Sequence, residues 1–370
     1  MHRSAVVAAA LLAGACSAAL HTDRVKSSTL ALSAVEGRAL TCRTATTADG
    51  SNAAVQWIQA DAAGDRGRLD DWCRTVGPAV VVESPLLHAP PPRLEDVAVV
   101  SWNVEVGGGD LDALLDHVGI ERGRPIVILV QEAYRGGALV PPLAKIASAP
   151  GRIAPSPPAG ARRSIIETAE RRGLSVFYVP SMRNGRDDPP EDRGNAILSS
   201  LPLSDLTAIE LPFEHQRRVA VAASVRVRDA NGHEPALYVV SAHLDVQASW
   251  RRGRFLWFGR VRQARALLSA AAGLPDPKIL GGDFNSWLGD VEPAVREARI
   301  NFPQTPPADA HVTFPVIGAF GFHLDHLFFR LPEGWNASVS RIDDRWGSDH
   351  HPLMASVSTA RGELVETGAR

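Results

Sequence analysis

The sequence predicts an α+β fold with packed β-sheets. Apolar runs of strand length recur along most of the chain: "VAVVSWN", "PIVILVQ", "LSVFYV", "NAILS", "VAVAASVRV", "ALYVVSAH", "KILGGD", "LDHLFF" and "PLMASVS". Helix-period patterns are few and lie between some of them, at 110–118, 162–172, 260–273 and 290–299. Several strands follow one another with no helix between, which a purely parallel sheet does not allow.

A chain of 370 residues is long enough for one large domain or two ordinary ones. The hydrophobic fraction of 45% and charged fraction of 22% are those of a globular protein. A net charge of −2 argues against a non-specific nucleic-acid binder, which would be basic. Only Lys26, Lys145 and Lys278 are lysines, so the positive charge is carried by arginine.

Residues 1–15 read as a signal peptide: Arg3, then an apolar run from Ala5 to Ala15 too short to span a bilayer. "LLAGAC" is similar to the lipobox of bacterial lipoproteins, with Ala13 where leucine is usual. Two readings stay open, lipidation of Cys16 or ordinary cleavage after the small residues. Either implies export, as a membrane-anchored lipoprotein or a secreted protein. Residues 16–93 read as a β-rich N-terminal appendage ("TLALSAVE", "AAVQWIQ", "PAVVVES") that ends in the Pro-rich joint "HAPPPR". If Cys16 carries lipid, Cys42 and Cys73 remain as a pair, and a bridge between them would stabilise by roughly 3–4 kcal/mol. The alternative is two unrelated buried thiols. Residues 94–360 form the main domain, with loops at 147–160 and 181–194, and 361–370 a polar tail.

Polar residues gather where the strands of the main domain end. "SWNVE" ends in Asn103 and Glu105, "ILVQE" in Gln131 and Glu132, "VVSAHLD" in His243 and Asp245, and "LGGDFN" in Asp283 and Asn285. "HLDHLFF" opens with Asp325 and His326, and "WGSDHHPL" carries Asp349, His350 and His351. A single such end is ordinarily a turn. Six together would place several carboxylates in one cleft, where they cannot all ionise without a cation. Oxygen donors without cysteine favour a hard ion, Mg²⁺ or Ca²⁺. Histidines add proton transfer near neutral pH. Those are the parts phosphoester hydrolysis requires.

"SWNVE", "VQE", "GNAILS", "SAHL", "GGDFN", "LDHLFF" and "GSDHHP" stand in one order over residues 96–358. That ordered set resembles the endonuclease/exonuclease/phosphatase superfamily, which includes deoxyribonucleases, sphingomyelinases and inositol-polyphosphate phosphatases. The resemblance implies a four-layer α/β/β/α sandwich with the site at one edge. It implies Glu132 as the main metal ligand, helped by Asn103, with Asp349 and Glu105 as further metal-site carboxylates. The ion would be Mg²⁺, with Ca²⁺ or Mn²⁺ as alternatives. It implies His350 as general base oriented by Asp325, Asp283 positioning the attacking water, and Asn285 donating to the phosphoryl oxygen. His243 would be a second phosphate-facing histidine and the candidate acid, with Asp192 its candidate orienting carboxylate. Asn195 and Arg218 are expected at the phosphate, and His326 and His351 are expected to be structural.

The stretch 249–268 interleaves Arg251, Arg252, Arg254, Arg260, Arg262 and Arg265 with Trp250, Phe255, Trp257 and Phe258. It reads as a lipid-headgroup surface, a nucleic-acid groove, or aromatics covering the core beneath a solvated arginine face. The functional expectation is an exported, metal-dependent hydrolase of a phospholipid or small phosphodiester. A secreted nuclease is the alternative, and a non-catalytic binding lipoprotein ranks last. No obligate protein partner is evident.

Overall fold

The computed structural model describes residues 32–34, 40–47, 50–60, 64–83, 90–142, 162–186, 189–246, 258–307, 312–317 and 320–359. The signal segment, Cys16, the loop 147–160, the arginine/aromatic stretch through Trp257 and the tail lie outside these residues. The strands are β1 (Leu32–Ala34), β2 (Ala45–Thr47), β3 (Gln56–Ala60), β4 (Ala79–Val82), β5 (Ala98–Asn103), β6 (Ile126–Gly136), β7 (Ser175–Asn184), β8 (Glu191–Ser199), β9 (Ser204–Glu210), β10 (Val219–Arg226), β11 (Ala236–His243), β12 (Lys278–Asp283), β13 (Phe314–Ile317), β14 (Phe320–Phe322), β15 (Asp325–Arg330), β16 (Trp335–Arg341) and β17 (Leu353–Thr359). The helices are α1 (Arg66–Cys73), α2 (Leu111–Val118), α3 (Ile165–Arg172), α4 (Phe258–Ala272) and α5 (Pro293–Asn301).

Two mixed sheets result. One runs β1-β3-β9-β10-β11-β12-β15, the other β16-β17-β5-β6-β8-β7-β4-β2. The apolar runs explain why they stack. Successive strand residues point to opposite faces. Val99, Leu129 and Ile197 of one sheet meet Val221, Val239, Ile279 and Phe329 of the other in the central core. Their neighbours Val100, Ile128 and Val130 face outward onto Leu114 and Leu115 of α2 and onto Ile165 and Ala169 of α3. On the opposite outer face, Val240, Leu280 and Phe328 pack under Ala264 and Leu267 of α4 and Val295 and Ala298 of α5. Strands covered on both faces carry apolar residues at consecutive positions. The architecture is therefore the α/β/β/α sandwich.

Helix ends follow their sequence signals. Asp110 caps α2 by accepting the Ala113 N–H at 3.2 Å, and Gly119 closes it at φ 90°. Helix α1 has no such periodic pattern. "RGRLDDWC" carries Gly67 and scattered charge, and tertiary contacts of Leu69, Trp72 and Cys73 hold it.

The strand-rich N-terminal portion shares both sheets. β3 runs parallel beside β9 with β1 outside it, and β4 runs antiparallel beside β7 with β2 outside it. Cys42 and Cys73 are joined by a disulfide in a small apolar cluster with Val76. Arg43 ties this portion to β9. It donates to Glu210 at 2.6 Å and to Asp70 at 2.8 Å, while Glu210 also takes the Arg217 Nε–H at 2.7 Å. Burial opposes ionisation of Glu210, but Arg217 and Arg43 outweigh it and hold its pKa below the ordinary 4.5.

A carboxylate with a depressed folded-state pKa contributes stability that is present above its unfolded value and lost as pH falls through the folded one. Glu210→Gln should destabilise by about 3–5 kcal/mol near neutral pH, because the fully buried Arg217 loses its counter-charge and Arg43 keeps only Asp70. The deficit should shrink as pH falls below about 4.5, where the unfolded chain's carboxylate takes up its proton, and should vanish once the folded one is protonated too. Denaturant unfolding at several pH values measures it. A deficit that is small, or that does not depend on pH, contradicts the linkage.

Candidate active site

The sheet register aligns the chemistry. At the edge of the first sheet, His243 of β11 is paired with Asp283 of β12, and Asp283 is paired with Asp325 of β15. Three ionisable residues therefore sit on adjacent strands, about 5 Å apart along the hydrogen-bonding direction. In the second sheet β5 ends at Asn103, level with Gln131 of β6. Asn103 joins the sheets, donating from Nδ2 to Asp283 Oδ2 at 3.0 Å.

The two glycines ahead of Asp283 are required by close approach. A Cβ on Gly282 would fall 1.8 Å from the Ala242 carbonyl oxygen, and one on Gly281 would lie 2.7 Å from Leu129 across the sheets. Beyond them the chain bends sharply. Asn285 has φ 49°, its N–H donates to Asp283 Oδ1 at 2.8 Å, and its Nδ2 donates to the Leu244 carbonyl at 2.9 Å.

Glu132 reaches the site through a bulge. The pairing of β6 with β8 shifts register between Val130 and Ala133, and Glu132 has φ 53°. A bulge re-aims a side chain, and positive φ is costly for a residue with a Cβ. Glu105 bears the same strain at φ 46°. The Asp349–His350 loop is pinned to β5. Trp102 Nε1 donates to the His350 carbonyl at 3.0 Å, and Ser348 Oγ donates to the Asn103 carbonyl at 2.7 Å.

These residues line a cavity of about 310 Å³. Asn103, Glu105, Glu132 and Asp349 contribute oxygen donors, and Arg193, Gln216 and Arg218 contribute N–H groups. His243, Asp283, Asn285 and His350 complete the polar lining, and Trp287 and Phe314 add apolar surface. Arg193 lies 3.8 Å from Glu132. Arg193 Nε and Arg218 Nε are buried without a hydrogen-bond partner among the described residues.

The electrostatics are uneven. Burial, then the adjacent Asp325 carboxylate, pushes Asp283 up to about 7. Burial opposes charge on His350, but Asp325 at 2.7 Å from Nδ1, with Asp283 and Asp349, raises its pKa to about 10. Burial, reinforced by Arg218, His350 and Arg193, holds His243 well below 6.5. Burial also raises Glu105 and Asp349, with Glu132 adding to both. In the protein alone, His350 therefore holds a proton and His243 does not.

Most of the expected site residues meet in this cavity; Asp325 stands buried behind His350, and two candidates lie elsewhere. Asn195 is 2% exposed and does not line it; its Nδ2 donates to the Val219 carbonyl at 2.8 Å, a strut from β8 to β10 of the other sheet. Asp192 does not orient His243. It is fully buried against Arg135, with Tyr178 at 2.8 Å and the Gly77 N–H at 3.0 Å. Arg218 lines the cavity as expected. His326 and His351 lie outside it, and burial, with His323 and Arg299, keeps His326 neutral. Arg260, Arg262 and Arg265 on α4 pair with Glu292, with Asp65 and Glu214, and with Glu297. Sequence reading missed Arg193, Gln216, Trp287 and Phe314. Arg193 stood in plain view beside "GNAILS", but only the register shift in β6 brings Glu132 towards it.

The residues present fit a divalent cation. Besides Asp283, the carboxylates of Glu105, Glu132 and Asp349 line the cavity with the Asn103 amide, and among the described residues no lysine or arginine lies within hydrogen-bond distance of these three carboxylates. Asn103 Oδ1 takes the Glu105 N–H at 3.1 Å and keeps a second lone pair. All-oxygen donors suit Mg²⁺, Ca²⁺ or Mn²⁺.

The model of the endonuclease/exonuclease/phosphatase family matches residues 100–350. No curated protein matches the chain. Among solved structures it is similar to an endonuclease/exonuclease/phosphatase from Beutenbergia cavernae DSM 12333, at 17% identity and TM-score 0.46 over 71% of each chain. It is similar to the human Nocturnin catalytic domain, at 16% identity and TM-score 0.44, over 73% of this chain and 100% of that one. It is also similar to beta toxin from Staphylococcus aureus, at 16% identity and TM-score 0.41, over 70% of this chain and 98% of that one.

Proposed function

Because the chain belongs to the endonuclease/exonuclease/phosphatase family, we propose that it hydrolyses a phosphodiester, with Mg²⁺ as cofactor and a phospholipid as substrate. The observation that carries the hydrolytic part is the pairing of buried, unpartnered Arg193 and Arg218 nitrogens with carboxylates in one cavity. The arginines call for an anion, and the carboxylates for a cation.

When bound, the ion would neutralise phosphoryl charge and favour ionisation of water. Glu132, Asp349, Glu105 and Asn103 would hold it. The chain's own residues do the rest. Arg193, Arg218 and Asn285 bind and orient the phosphoryl oxygens. Asp283, with a pKa of about 7 and both oxygens fixed by Asn103 and Asn285, takes the proton of the in-line water. His350, held as imidazolium by Asp325, gives a proton to the leaving oxygen. The motif-derived roles made His350 the base, His243 the acid and Asp283 the group that positions the water; here the base is Asp283 and the donor His350, because Asp325 and Asp283 both face His350. His243 stays neutral and positions Asp283 from 3.4 Å.

The lipid reading rests on the rim. Trp287 packs on Phe322 at 4.8 Å, and Phe322 packs on Phe320 at 5.6 Å. Val316, Ile317 and Phe320 on the β13–β14 hairpin are exposed, as are Leu288 and Val291 beside Trp287. An apolar surface that starts at the cavity wall suits the interfacial region of a bilayer. An exported, membrane-facing location, on the reading of residues 1–16, agrees with it.

Ile317→Ser with Phe320→Ser should lower hydrolysis of a vesicle-borne phosphodiester about tenfold or more, since the loss of two buried apolar side chains from an interface exceeds 1.4 kcal/mol. Hydrolysis of a soluble phosphodiester should be unchanged. Equal loss on both substrates, or faster turnover of DNA than of lipid, would overturn the lipid reading.

A further inference from the structure

Asp290, His323 and His326 form a second cluster of metal-binding side chains, outside the active-site cavity. Asp290 follows the turn after β12, and the two histidines flank the start of β15. His326 Nδ1 lies 3.8 Å from Asp290 Oδ1, and His323 Nδ1 lies 3.8 Å from Asp290 Oδ2. The two imidazole rings are 4.3 Å apart between centroids.

A hydrogen bond fixes which nitrogen of His326 is bare. Ser286 Oγ donates to the His323 carbonyl at 2.9 Å, and it lies 2.7 Å from His326 Nε2. A hydroxyl has one proton to give. It goes to the carbonyl, so Ser286 must accept from His326 Nε2–H. The other nitrogen, Nδ1, therefore presents a lone pair towards a carboxylate. Two acceptors facing each other at 3.8 Å, with the imidazole only 2% exposed, make no bond on their own. A cation between them satisfies both. In a tetrahedral zinc site, adjacent nitrogen and oxygen ligands lie roughly 3.3–3.4 Å apart; here one ligand atom from each residue falls within 4.8 Å of the others, so side-chain rotation closes the site around an ion.

The surroundings suit an ion. Arg299 donates to Asp290 Oδ1 at 3.1 Å and fixes the carboxylate, as outer-shell donors do around metal ligands. Ser286 plays that part for His326. His323, His326 and Arg299 also border a cavity of about 240 Å³, which leaves room for a fourth ligand from solvent.

We infer that Asp290, His323 and His326 bind a transition-metal ion of the Zn²⁺ class, at a site distinct from the oxygen-lined cavity. Two imidazoles and one carboxylate favour Zn²⁺, Co²⁺ or Ni²⁺ over Mg²⁺. The ion clamps the turn after β12 to the start of β15. Ser286 and His326 directly follow Asn285 and Asp325, so the clamp stiffens two residues of the active site from behind.

The test measures Zn²⁺ binding to the full chain by equilibrium dialysis after chelator treatment, with Co²⁺ absorption as a ligand-field readout. Glu132→Gln serves as background, so that ions in the active-site cavity are discounted. Zn²⁺ should still bind in that background. His326→Gln, which keeps an Nε2 donor for Ser286, should abolish it together with the Co²⁺ band. Ser286→Ala should weaken it about 10–100-fold. Should His326→Gln fail to fold by circular dichroism, Asp290→Asn on the half-buried carboxylate decides instead. The inference is overturned if Zn²⁺ binds equally to all variants, if Glu132→Gln alone removes it, or if the wild-type chain binds none.

Discussion

Glu132→Gln should lower phosphoester hydrolysis by about 10²-fold or more, the size seen when one preorganised charge-stabilising group is removed. The substitution keeps the shape of the side chain and takes away its charge. The strained backbone that turns Glu132 into the cavity, φ 53° at a β-bulge, stays as it was. Stability in the presence of chelator should not fall, because Glu132 helps to raise the pKa values of Glu105 and Asp349 and so repels both. Excess Mg²⁺ should restore part of the rate. Steady-state rates over a Mg²⁺ titration, with thermal melts in chelator, check both halves. A variant that hydrolyses at the wild-type rate at limiting Mg²⁺ excludes Glu132 as a ligand.

His350→Ala should cost about 10²–10⁴-fold on an unactivated phosphodiester, the usual contribution of a general acid or base. Asp325→Asn should share much of that loss, since its carboxylate orients the same imidazole at 2.7 Å. The double variant should lose less than the product of the two, because residues acting as a unit are not additive. The leaving group separates the roles. A nitrophenolate leaves without a proton. On a nitrophenyl ester His350→Ala should therefore lose little, while Asp283→Asn should stay impaired because the water still needs its base. The opposite pattern would return the base to His350 and leave Asp283 to position the water.

The sequence made some of this structure legible and hid other parts for physical reasons. Strands covered on both faces announce themselves as apolar runs, and the polar residues ending them mark one edge because register forces neighbouring strand ends together. His243, Asp283 and Asp325 are of this kind. Contacts that depend on local backbone geometry were not legible. Nothing in "LVQEAY" shows that a bulge turns Glu132 towards Arg193. The strands β2, β13 and β14 are only three or four residues long, with Pro315 and Gly321 inside the last two, and the half-exposed β16 alternates with polar residues, so none stands out. Asn195 and Asp192 look like site residues by their neighbours in sequence. The structure spends them on inter-sheet and core polar contacts, which only the packing of β8 against β10 and β6 defines. The attachment of 32–82 to the sheet edges was equally hidden, since edge pairing depends on which strands are left uncovered.

The proposed activity is cleavage of a lipid phosphodiester in this cavity with a divalent cation. The most direct test is release of phosphorylated headgroup from phospholipid vesicles by the full chain, first in chelator and then across a Mg²⁺ titration. The account predicts no release in chelator, saturable release as Mg²⁺ is added, and its loss with Glu132→Gln. Release that is equal with and without Mg²⁺, or no release from any phospholipid at saturating Mg²⁺, would contradict it.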